Sequence, residues 1–157
     1  MIEREGQLLH VGRVGIVVSR YNELVTRRLL EGAREACLEA GTPGAELEVN
    51  WVDGAFDLPA VASAMAQSGR YAALVALGAV IRGDTPHFEY VAGECARGLM
   101  RLSVRYALPV GFGVLTVDTM EQALERAGGA AGNKGREAAE AAIRAADVLN
   151  RLRTGHA

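Results

Sequence analysis

The chain has 157 residues and a mass of 16.6 kDa, the length of one ordinary domain. A chain of this size buries roughly 70% of its unfolded surface, so its core needs no covalent or metal staple. With 50% hydrophobic and 23% charged residues the composition excludes bulk disorder, and a net charge of -2 lacks the basic surplus of a nucleic-acid binder.

Val14 to Val18 is a short, β-branched apolar run and reads as a strand buried on both faces. Val25, Leu29, Ala33, Ala36, Cys37 and Ala40 then recur at helical spacing, with Asn22 as N-cap and Gly41 as stop. Glu46 to Val52 alternates as a second strand. The Ala-rich stretch from Pro59 to Gln67 reads as a short helix opened by proline. Ala72 to Ile81 is the third and most apolar strand. A longer helix follows, with Phe88, Val91, Ala92, Cys95, Leu99 and Leu102 on one face. Pro109 to Thr116 is the fourth strand. Thr119 to Gln122 has the form of a capping box and starts a short helix ending near Gly128 and Gly129. Lys134 to Leu152 is a last amphipathic helix.

This alternation predicts parallel strands joined by right-handed crossovers. The expected fold is an α/β, three-layer α/β/α sandwich, flavodoxin-like, with four parallel strands in the order 2-1-3-4. One domain spans 1–157, its core about 12–152. Gly6 to His10 is expected to add a short N-terminal edge strand that could pair with a neighbouring subunit.

Cys37 and Cys95 are far apart and outside any metal-type spacing, so they read as buried thiols. The start of the chain, Met1 to Glu5, lacks the form of a secretory signal, and the longest apolar run, Tyr71 to Ile81, is too short to span a bilayer. A soluble, cytoplasmic protein is the expectation, with no membrane partner.

Ligands of such sheets bind outside the carboxyl ends of the strands. There the first strand runs into Ser19 to Asn22, the second into Asp53 to Asp57, and the third into Arg82 to His87. Thr85 and Pro86 resemble an N-cap and a first-turn proline, Gly83 permits close approach of the backbone, and the free N–H groups of a helix start favour an anion. His87 falls in that first turn, where the helix end disfavours the imidazolium form. Each residue also has a plainer reading. His87 could be a surface histidine beside a cap, Asp57 and Asn22 caps, Phe56 a core plug, and Tyr21 a helix closure. Arg126 and Lys134, the only lysine, could be solvated charges. The Arg97, Arg101 and Arg105 stripe reads as an exposed face. No nucleotide fingerprint, nucleophile elbow or metal-ligand cluster appears, so neither cofactor nor metal is expected.

Taken together, four segments are specific: Ser19–Asn22 (SRYN), Gly54–Pro59 (GAFDLP), Gly78–Val91 (GAVIRGDTPHFEYV), and Glu121–Gly128 (EQALERAG) followed by Ala131–Gly135 (AGNKG). In this order they resemble the 6,7-dimethyl-8-ribityllumazine synthase family over about residues 6–152. The resemblance implies condensation of 5-amino-6-(D-ribitylamino)uracil with 3,4-dihydroxy-2-butanone 4-phosphate, releasing phosphate and water, the penultimate step of riboflavin biosynthesis. It also implies a pentamer, or a multiple of one, with sites between adjacent subunits, and riboflavin synthase as a candidate partner. Tyr21 would stack on the pyrimidine. Ala55, Phe56 and Asp57 would hold the pyrimidine and its ribityl chain, Ala79, Val80 and Ile81 would line the pocket, and Phe112 would come from the neighbour. Asp84 and Thr85 would offer backbone N–H groups to the phosphate, with Arg126 of the neighbour and Lys134 beside it. His87 would transfer protons. Three positions depart from the family pattern: Asp57 stands for Glu, Ala79 for Thr, and Ala130 for Lys at a joint tied to assembly beyond the pentamer. A non-catalytic flavin-binding module and a shell-forming homologue are the competing expectations.

Overall fold

A computed structural model describes residues 1–157. Four parallel strands form the central sheet: β1 (Val14–Ser19), β2 (Leu47–Val52), β3 (Ala73–Ile81) and β4 (Val110–Val117), in the order β2-β1-β3-β4. The helices are α1 (Glu23–Glu39), α2 (Leu58–Gln67), α3 (His87–Tyr106), α4 (Met120–Arg126) and α5 (Lys134–Thr154). All 6 residues of β1 and the first 8 of the 9 in β3 are buried, which is why both read as unbroken apolar runs rather than alternating ones.

The two-residue period of the strands divides the interior into two layers. Ile16, Val18, Val75 and Leu77 point toward α1 and α5, while Val17, Leu74, Ala76 and Val80 point toward α2 and α3. Burying one leucine such as Leu77 contributes about 1.5–3 kcal/mol. Cys37 and Cys95 are buried, one in each layer, and burial pushes both thiols up to about 11. Helices α1 and α5 cross closely at Gly135, where a Cβ would lie 2.1 Å from the Leu29 carbonyl oxygen. Arg136 reinforces that crossing with ion pairs to Glu35 and Glu39 of α1, and also pairs with Glu140 of its own helix.

The expected edge strand at Gly6 to His10 does not form. That stretch lies along α5 instead. Gln7 N–H donates to Asp147 Oδ2 at 3.0 Å, Arg151 donates to the Glu5 carbonyl, and a Cβ on Gly6 would collide with the Arg144 carbonyl oxygen. Side chains of α5 thus take up backbone groups that a strand ladder would otherwise use. The joint after α4 folds into a small antiparallel hairpin, β5 (Ala127–Gly129) with β6 (Gly132–Asn133), where no strand was expected. No helix is long and apolar enough to cross a membrane.

Candidate active site

The carboxyl ends of β1, β2 and β3 converge on a cavity of about 460 Å³. Its walls include Tyr21, Ala55, Phe56, Asp57, Ala79, Val80, Ile81 and His87, eight of the residues expected at the site. The first two loops are fastened together, since Arg20 N–H and Tyr21 N–H both donate to the Asp53 carbonyl, at 2.9 and 2.8 Å. Tyr21 and Phe56 remain 64% and 60% exposed. Two large aromatic faces this open at a cavity mouth are free to stack on a planar ring.

Asn22 holds the N-cap position expected of it, though not through its side chain. Its backbone is left-handed (φ 62°), a conformation asparagine tolerates, and its side chain makes no cap bond to α1. Its Nδ2 instead donates to the Ala79 carbonyl at 3.0 Å, pinning the β1 loop to β3 across the cavity floor. Asp57 is engaged as well, because its Oδ2 accepts from Gly54 N–H at 3.0 Å. Gly54 fits beneath the Tyr21 ring, where a Cβ would come within 3.1 Å. Tyr90 and Val91 complete the wall, and neither was singled out as a site residue. Tyr90 lies three residues after His87, hence on the same helical face, and that spacing was the signal available.

Asp84 and Thr85 occupy the exposed loop before α3, outside the lining of this cavity. Thr85 is not the N-cap expected of it: Pro86 holds that position, α3 starts at His87 with no side-chain cap, and Thr85 Oγ1 lies 3.5 Å from His87 N, so the loop keeps backbone N–H groups uncommitted. His87 itself is exposed and reaches the cavity from the first turn of α3.

Phe112, Arg126 and Lys134 are elsewhere. They line a second cavity of about 430 Å³ along the edge strand β4, between α4 and α5. Arg126 is held by the Gln122 carbonyl at 3.0 Å and lies 3.7 Å from Glu125. Lys134 pairs with Glu137 at 3.1 Å, and Asn133 caps its helix by accepting from Gly135 and Arg136 N–H. The arginine stripe of α3 is solvent-facing as expected, with Arg97 paired to Glu94.

One chain therefore carries two cavities of different make-up. The first has aromatic faces, apolar walls and an imidazole but no lysine or arginine in its lining. The second has both cations, with Phe112 as its one aromatic.

Comparison with known proteins gives this arrangement a family. The model of the family described as 6,7-dimethyl-8-ribityllumazine synthase matches residues 12–150. A 6,7-dimethyl-8-ribityllumazine synthase of Protochlamydia amoebophila (strain UWE25) is 48% identical over 153 residues, covering 97% of this chain and 89% of that protein. The match takes in the β-strand ends that build the first cavity and the α4–α5 segment that supplies the cations of the second, and the chain belongs to the 6,7-dimethyl-8-ribityllumazine synthase family.

Proposed function

We propose that the two half-sites meet between adjacent protomers of a pentamer, or a multiple of one, and there form a complete active site. The chain is a transferase that condenses 5-amino-6-(D-ribitylamino)uracil with 3,4-dihydroxy-2-butanone 4-phosphate to 6,7-dimethyl-8-ribityllumazine, a step of riboflavin biosynthesis. The observation that carries the composite site is the division itself: aromatic faces and His87 in one cavity, Arg126 and Lys134 in the other.

In this reading the whole chain is one catalytic domain. Tyr21 and Phe56 stack on the pyrimidine, and Ala79, Val80 and Ile81 form its apolar floor. Ala55 and Asp57 face the ribityl chain, and Phe112 of the neighbour closes the aromatic wall. Backbone N–H groups of Asp84 and Thr85 meet the phosphate from one side. Arg126 and Lys134 meet it from the other, the guanidinium as a fork. The substrate amine attacks the ketone and a first water leaves as the Schiff base forms. His87 takes the proton whose loss lets phosphate depart. Attack of the second nitrogen on the remaining carbonyl closes the ring and releases a second water. A base in this role contributes about 10²- to 10⁴-fold, and holding both substrates in register contributes at least as much.

A cytoplasmic location and riboflavin synthase, which consumes the product, belong to the same proposal. A purely flavin-binding or shell-forming role is not favoured, because family membership and the separated catalytic groups both fit the condensation. Mixing purified protein with the two substrates tests the reaction through lumazine fluorescence, with riboflavin titration as the control for a flavin binder. Light scattering tests the pentamer. No lumazine from an assembled protein overturns the proposal.

A further inference from the structure

We propose that Arg82 is a positioning residue for this reaction, a planar clamp that fixes the phosphate-facing loop and links it to the helix carrying Arg126. The inference rests on the site reading above.

Arg82 follows directly on β3, and its N–H donates to the Val117 carbonyl at 2.9 Å. Its side chain then divides. Nη1 donates to Glu89 Oε1 at 2.6 Å, and Nε donates to Asp118 Oδ1 at 3.0 Å. The guanidinium carbon also stands 4.3 Å from the centroid of the Phe88 ring. The fork thus spans the loop from 83 to 86. One prong holds the first turn of α3, on the residues just after His87. The other holds the corner after β4.

That corner leads on to Arg126. Asp118 N–H donates to Gln122 Oε1 at 2.7 Å, and the Gln122 carbonyl accepts from Arg126 Nη1 at 3.0 Å. An unbroken series of hydrogen bonds therefore runs from Glu89 through Arg82, Asp118 and Gln122 to Arg126. It joins the two half-sites within one chain. Within the loop itself, the bonds are sparse: a 3.5 Å contact from Thr85 to His87 N–H and one turn bond from Glu89 N–H to the Pro86 carbonyl. Its shape is set from outside, and Arg82 is the side chain that grips both ends.

The pairs of Arg82 are solvent-exposed, so they add little to global stability. Their value is geometric, since small displacements of a binding group are costly to rate. A lysine keeps the charge but cannot bridge two carboxylates in one plane.

The test uses the assembled enzyme with Arg82→Ala, Arg82→Lys and Glu89→Gln, each substrate being varied in turn. In both Arg82 variants the apparent KM for the butanone phosphate rises about tenfold, while that for the pyrimidine stays within about twofold. Glu89→Gln gives a smaller rise in the same direction. Light scattering and thermal unfolding match the parent. Unchanged KM values, or equal rises for both substrates, overturn the inference. If Arg82→Ala fails to assemble, Arg82→Lys and Glu89→Gln decide by the same criterion. Should the parent make no lumazine, the site reading falls and this inference with it. Should Arg126→Ala raise the phosphate-substrate KM while the Arg82 variants do not, only this inference falls.

Discussion

The two cavities of this chain differ in kind. The rim cavity is built by loops at the ends of buried parallel strands, and its stacking faces, Tyr21 and Phe56, stand open to solvent. The β4 cavity is a close-packed flank. At Gly111 a Cβ would lie 2.2 Å from the Ala138 carbonyl oxygen, and at Gly113 one would lie 2.5 Å from the Leu77 side chain. Helix α5 thereby lies directly on the sheet, and its first residue, Lys134, lines the same cavity as Phe112. The rim presents aromatic and apolar surface, and the flank presents charge. Under the proposed reading, a guanidinium already held by the Gln122 carbonyl loses less freedom on meeting a phosphate.

The largest expected effect comes from separating the two regions onto different chains. A Tyr21→Ala/His87→Ala double variant spoils the rim, and Arg126→Ala spoils the flank. Co-assembled in equal amounts, about a quarter of the interfaces in a closed ring pair an intact rim with an intact flank. Activity of the mixture then exceeds that of either parent assembly. No recovery in a verified mixed oligomer would mean that each site lies within one chain.

Single substitutions sharpen the contrast. His87→Ala is expected to lower kcat by about 10²-fold and to leave measurable turnover, because substrate alignment survives loss of the base. Abolished turnover in a folded assembly would give the imidazole a larger share than this. Arg126→Ala is expected to raise the apparent KM for the butanone phosphate by roughly 10- to 100-fold, the range of one charge-assisted hydrogen-bonding group, with little change for the pyrimidine. Equal effects on the two substrates would remove Arg126 from the phosphate.

Much of the rim was legible in the sequence, because polar and aromatic residues follow directly on apolar runs such as Val14 to Val18 and Ala72 to Ile81. The strand order 2-1-3-4 was expected from the flavodoxin-like class, and the sheet has it. What was hidden depends on contacts across space. Asn22 reads as a cap locally, yet its amide is drawn to Ala79, which is 57 residues away. The fork of Arg82 reaches partners 7 and 36 residues off, and no local periodicity announces either. Gly6 to His10 has strand-like residues but lies where α5 supplies its partners. That Phe112 and Arg126 lie apart from Tyr21 was implied by the resemblance, which gives both to a neighbouring subunit, and β4 at the sheet edge, next to α4 and α5, keeps them apart within one chain.

The smallest effect concerns Asp57, one of the positions at which the resemblance implies a departure, with Glu expected in its place. The carboxylate already accepts Gly54 N–H at 3.0 Å and so helps close the turn under Tyr21. A ribityl hydroxyl would have to share that carboxylate or engage its other oxygen. In Asp57→Glu the extra methylene carries the carboxylate past Gly54 and further into the cavity. The turn loses one hydrogen bond, a net cost of about 0.5–1.5 kcal/mol, while the ribityl chain gains a closer acceptor of similar worth. The expected result is a change of less than about tenfold in the pyrimidine KM, with a slightly lower melting temperature and no change for the butanone phosphate. A shift confined to the butanone phosphate would move Asp57 to the other half of the reaction and would require a different substrate orientation in the rim.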